Sequence, residues 1–210
     1  MHIDKHIDKN NWGEIKDILP QITEIKSLDL NSMGLTEFPK MSHITIKGWF
    51  NCYNNQISSF KDCPVIVGGF NCSFNKLKSF KECPVISGNF WCSNNQITSF
   101  KNCPIINGDF SCSRNQLTSF KDCPPINRDF YCYENPLTSF KDCPDIGGKL
   151  YSDFDIFNKI HEYSKEKKIS LLETQVELYN QQDVEILEHI DKFPDLVAYI
   201  RMKELNKLLY

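Results

Sequence analysis

Apolar and polar positions between residues 28 and 157 follow two superimposed rhythms. Within one copy, Phe50-x-Cys52 alternates with period two, as in a strand whose inward side chains share one face. Between copies, the whole order returns every 20 residues, at Phe50, Phe70, Phe90, Phe110 and Phe130. Each copy reads Phe, any residue, Cys, two residues, Asn, any residue, Ile or Leu, any residue, Ser, Phe, Lys. An acid or Asn follows, then Cys-Pro, any residue and Ile. A fixed period of this length predicts stacked supersecondary units, none of which can bury its apolar side alone.

The repeated positions predict a coil. Phe60, Phe80, Phe100, Phe120 and Phe140 form a second aromatic column, and Ile66, Ile86, Ile106, Ile126 and Ile146 an aliphatic one. Pro after each second Cys fixes φ and favours extended or turning return limbs over helix. Gly48, Gly68, Gly88, Gly108 and Gly148 mark a position of positive φ or close approach, with Arg128 as the exception. Asn55, Asn75, Asn95, Asn115 and Asn135 place an amide, donor and acceptor together, in a turn whose backbone would otherwise go unpaired. A degenerate unit with Leu28, Leu30, Met33, Leu35 and Phe38 precedes the regular ones. Leu150, Ser152, Asp155 and Phe157 read as a truncated last unit, so seven parallel strands are expected.

The column order Leu/Phe-x-Leu/Cys-x-x-Asn-x-Leu/Ile resembles the leucine-rich repeat in its short 20-residue class. The segment Phe-Trp-Cys-Ser-Asn-Asn-Gln-Ile-Thr-Ser-Phe at 90–100 is similar to Cys-containing repeat proteins of large bacteriophages and giant viruses. The resemblance covers residues 28–157 and implies a curved solenoid used for protein binding.

The flanks follow a different pattern. Residues 1–24 read as a solvated tail and a capping helix, with Trp12, Ile15, Ile18, Leu19 and Ile22 at helical spacing and Asn11 as N-cap. Such a lid would cover the first sheet edge. If the doubled His-Ile-Asp-Lys at the start were helical, His2, Asp4, His6 and Asp8 would suit a metal; a mobile, solvated segment is the simpler reading. Residues 25–157 are the solenoid. Residues 158–210 read as a helical cap or subdomain: a polar helix over 158–169, a capping box at Ser170 and Glu173, and a cap at Asp183. Inward stripes are expected at Leu172, Val176 and Tyr179, then Ile186, Leu187 and Ile190, then Val197, Ile200 and Leu208.

Composition narrows the function classes. A net charge of -3 gives no basic excess for nucleic acid. No apolar run approaches the roughly 20 residues of a membrane helix. The opening residues lack the apolar region of a secretory signal, so a cytoplasmic location is expected, the host cytoplasm if the chain is viral. The ten cysteines all fall in two repeat columns, Cys52 to Cys132 and Cys63 to Cys143, with no Cys-x-x-Cys pair. They read as buried thiols acting as small hydrophobes, without disulfide, metal or cofactor. No phosphate loop, nucleophile elbow or zinc-protease motif occurs, and His161 and His189 stand alone, so no enzyme is expected. The repeat-bearing bacterial ubiquitin ligases carry a nucleophilic Cys after their repeats, whereas here none lies beyond Cys143.

Binding is the remaining class. Residues flanking each inward Phe and Cys vary from copy to copy, and on the expected concave face they include Trp49, Asn51, Tyr53, Asn71, Asn89 and Trp91. Asp109, Asp129, Tyr131, Tyr133, Tyr151 and Asp153 continue that face, with Phe74, Arg114, Glu134 and Phe154 at the rim. Exposed Trp and Tyr beside acids have the composition of a recognition surface, here for a cytosolic protein with a basic patch. Such a target would be a host defence component if the viral resemblance holds. The alternative is a structural protein oligomerising through its C-terminal helices. Lys61, Lys81, Lys101, Lys121 and Lys141 form a stripe in which a neighbouring acid follows almost every Lys, read as an internally paired, solvated edge rather than a phosphate track.

Overall fold

The computed structural model describes residues 1–209; the side chains of residues 4–6 and 205–209 lie outside that description. It begins with β1 (His2–Ile7), α1 (Trp12–Ile15), a 3-10 segment (Lys16–Gln21) and β2 (Glu24–Asp29). Two-residue strands follow: β3 (Thr45–Ile46), β4 (Phe50–Asn51), β5 (Val65–Ile66), β6 (Phe70–Asn71), β7 (Phe90–Trp91), β8 (Phe110–Ser111), β9 (Phe130–Tyr131) and β10 (Leu150–Tyr151). Helices α2 (Asp155–Lys167), α3 (Leu171–Asn180), α4 (Val184–Glu188) and α5 (Pro194–Leu209) complete the chain. The architecture is a parallel solenoid of the leucine-rich-repeat type, with the expected seven strands from β2 to β10 in its main ladder.

Two ladders run along the coil. In the main one, Leu28, Phe50, Phe70, Phe90, Phe110, Phe130 and Leu150 pair in register. The second joins Ile25, Ile46 and Ile66, then continues as single bridges through Ile86, Ile106 and Ile126 to Ile146. The longer β2 feeds both. Between the ladders, the Phe50–Phe130 rings stack nearly parallel with centroids 5.2 to 5.6 Å apart. Phe60, Phe80, Phe100 and Phe120 meet them edge-on. Both offset and edge-on geometries suit the ring quadrupole.

The Asn column seals each turn as its chemistry requires. Asn95 Nδ2 donates to the carbonyls of Cys72 and Cys92, at 3.1 and 3.0 Å, while its Oδ1 accepts from Leu77 N–H at 2.9 Å. The glycine column reflects crowding, not positive φ: a Cβ on Gly68 would lie 1.9 Å from the Gly48 carbonyl oxygen. All ten cysteines are free, and burial raises the pKa of every thiol. Among the described residues no three His, Cys, Asp or Glu side chains gather as metal ligands.

Both ends differ from expectation. Residues 2–7 are not a solvated tail but a strand, paired with β2 through Ile3↔Ile25 and Ile7↔Leu28. Ile3 and Ile7 thereby extend the Ile and Phe columns by one coil. The first edge is covered by this strand rather than by a helix. The candidate metal arrangement needed a helix there, and the side chains of Asp4 and His6 fall outside the described residues. Asn11 does not cap α1; its Oδ1 accepts from Asp8 N–H. The helical run is only one α-turn before it tightens to 3-10 around Pro20, which lacks the N–H an α-helix needs.

At the other end, Asp155 begins α2 instead of sealing a turn. Asn158, from the first turn of α2, takes over that role and accepts from Ser152 N–H at 3.1 Å. The capping box at Ser170 and Glu173 and the Asp183 cap occur as expected. The inward face of α3 does not: Thr174, Gln175 and Leu178 are buried, while Leu172 is exposed and Val176 and Tyr179 half-buried. In the next stripe Ile186 is buried but Leu187 is exposed; the Leu208 side chain lies outside the described residues. Phe157 and Phe193 close the core against Phe140. Phe154 is half-buried and packs on Phe157. His161 Nε2 meets the Gly148 carbonyl at 3.0 Å, and Lys165 Nζ donates to the carbonyls of Ile146, Gly147 and Gly148. A helix thus neutralises the polar groups of the final coil.

Candidate functional site

Alternation along each short strand turns Phe and Cys inward and their neighbours outward. The outward face therefore carries three columns, built on residues 49, 51 and 53 and their register partners. The residues named from sequence do not all serve it alike. Tyr53, Asn71, Trp91, Asp109 and Tyr131 converge, with Ser73, Phe74, Ser93 and Ser111, around one hollow of about 390 Å³. Trp91 is 38% exposed and Phe74 42%. The Tyr53 and Phe74 rings lie 5.0 Å apart on one wall.

The remaining named residues support this hollow or flank it. Trp49 leans sideways over Gly69, where a Cβ would lie 2.0 Å from its ring, and meets Trp91 edge-on at 4.9 Å. Gly69 is the vacancy that lets the two indoles touch. Tyr151 stacks on Tyr131 with centroids 4.4 Å apart and planes within 1°. Asn51 and Asn71 each accept from the backbone N–H two residues on, at 3.1 and 3.0 Å, so both amides have local work. Tyr133 is exposed beside the hollow, and Asp153 accepts from Glu134 N–H.

The acids on this face have two functions to reconcile. Asn89 Oδ1 accepts from Asp109 N–H at 2.9 Å, Asp109 Oδ1 from Asp129 N–H at 3.2 Å, and Asp129 Oδ1 from Lys149 N–H at 2.9 Å. One oxygen of each side chain therefore ties its coil to the next. The second oxygen of Asp109 makes no hydrogen bond among the described residues. Tyr131 OH points to Asp129 Oδ2 at 3.4 Å; burial first, and Asp129 next, push its phenol up to about 12. It remains a neutral donor at any physiological pH.

Two surface features went unread in the sequence. Val65, Val85 and Ile105 are exposed along the second ladder, on the positions labelled "any residue" in the repeat. The residue after each stripe lysine turns the backbone left-handed: Asp62, Glu82, Asn102, Asp122 and Asp142 have φ between 59° and 64°. Left-handed turns favour Asp and Asn. Among the described residues no ion pair joins those residues to Lys61, Lys81, Lys101, Lys121 or Lys141, which corrects the internally paired reading of that stripe. At the rim, Arg114 and Glu134 do pair, at 2.8 Å.

No family model, curated protein or solved structure matches this chain.

Proposed function

We propose that the chain is a non-enzymatic binding protein that captures another protein through the outward face of its main ladder. The single observation behind this reading is the hollow, where side chains from five successive coils leave Trp91 and Phe74 open to solvent although neither is needed to fill the core. The charge of the face agrees with a basic partner: its columns hold Asp29, Asp109, Asp129 and Asp153 against Lys149. A cytosolic protein is the target we infer, a host defence component in a viral setting.

Affinity capture from the cell that makes the chain tests the reading. Trp91→Ala with Tyr131→Ala is expected to lose the captured protein. Val85→Ser with Ile105→Ser, on the second ladder, is expected to keep it; the reverse pattern would move the site to that face. A second reading, self-assembly through the helices, draws on an apolar trough of about 520 Å³ lined by Leu172, Val176 and Tyr199. Light scattering on the intact chain separates the two, since a monomer at high concentration removes the second.

A further inference from the structure

The lining of the hollow restricts what it can hold. Four aromatic rings, Tyr53, Phe74, Trp91 and Tyr131, surround it, and among the described residues Asp109 is its one acid and no basic residue lines it. A bound anion would meet Asp109 with no counter-charge. A purely apolar group would leave that carboxylate facing hydrocarbon. An organic cation satisfies both, because aromatic faces attract positive charge and a carboxylate pairs with it.

The hydrogen bonding of Asp109 selects among cations. Its Oδ1 is already engaged by Asp129 N–H at 3.2 Å. A forked guanidinium pair would have to share that oxygen, whereas a compact ammonium needs only Oδ2. The aromatic walls then suit the methylene stem that carries such a charge. Phe74 adds an independent sign. The other left-handed positions of its column hold Ser32, Asn54, Asn94, Arg114 and Glu134, Phe154 at the far end being extended, and at φ 57° a bulky exposed ring sits where Asn is the comfortable residue.

We propose that the hollow receives a lysine side chain of the partner, its stem against Phe74 and Trp91 and its ammonium at Asp109. This rests on the binding role proposed above. Asp109→Asn is expected to keep the coil intact, since Asn89 Oδ1 makes the same bond to the next N–H in that column.

The test is a titration of the full chain with N-acetyl-lysine N-methylamide, followed through the Trp91 indole and Ser111 amide resonances. Saturable shifts confined to the coils around the hollow are expected. The norleucine amide, with the stem but no charge, is expected to bind at least about fivefold more weakly, as is the lysine amide to Asp109→Asn. Norleucine binding as well as lysine, or Asp109→Asn binding like the unaltered chain, overturns the proposal. Arginine amide binding as tightly as lysine overturns the choice of ammonium. If partner capture needs Trp91 but is indifferent to Asp109→Asn, the binding face stands and this inference falls. If capture survives loss of Trp91 and Tyr131, both fall.

Discussion

Phe90 and Trp91 are chain neighbours on opposite sides of one short strand, and they stand for two different kinds of aromatic. Phe90 is fully buried and stacks on Phe70 and Phe110 at 5.6 and 5.5 Å, in a column repeated without change from 50 to 130. Trp91 is exposed, and its register partners are Asn71 and Ser111. Inward geometry is imposed by the coil, because every unit must present the same ring to the next. Outward geometry depends on individual residues, such as the bare Gly69 that admits Trp49. Periodicity marks what holds the molecule up; departures from it mark where the molecule can be specific.

Breaking the inward column should have the largest effect. Phe90→Ala is expected to cost about 3–5 kcal/mol, read as a lowered denaturant midpoint. Asn95→Ala comes next, at about 1–3 kcal/mol, since the Leu77 N–H is left unpaired while the Cys72 and Cys92 carbonyls keep only the amides of Asn75 and Asn115. Hydrogen exchange should quicken first at the Leu77 amide. The outward side should behave in the opposite sense. Phe74→Asn relieves a left-handed backbone cost of about 1–2 kcal/mol and gives up a ring contact worth about 0.5–1.5 kcal/mol. Its thermal stability is therefore expected to hold or rise slightly, while lysine binding weakens. A clear loss of stability would assign that ring to packing instead.

The coil was legible in the sequence because its columns repeat without a gap over five units, and inward Phe, Cys, Asn and Ile each have one physical job. The ends were harder to read. Ile3 and Ile7 keep the four-residue spacing of Ile66 and Phe70, but the doubled His-Ile-Asp-Lys around them carries a competing pattern. In α3 two stripes satisfy helical spacing, and the polar Thr174 and Gln175 belong to the buried one with Leu178. For the binding face, alternation identified which residues point outward. It could not show which of them meet, because the lean of Trp49 and the approach of Tyr53 to Phe74 are lateral. Nor does alternation reveal a backbone turn, so the residues after the stripe lysines look like charge partners in the sequence, whereas they occupy left-handed φ.

The central claim is that outward, non-repeating positions carry binding and contribute little to stability. Titrating Trp91→Ala with N-acetyl-lysine N-methylamide, alongside its thermal melt, tests it most directly. Losing the Trp49 edge contact should cost no more than about 1.5 kcal/mol, so the melt should stay close to that of the unaltered chain while saturable lysine binding disappears. Undiminished lysine binding, or a destabilisation as large as that of Phe90→Ala, would contradict the account.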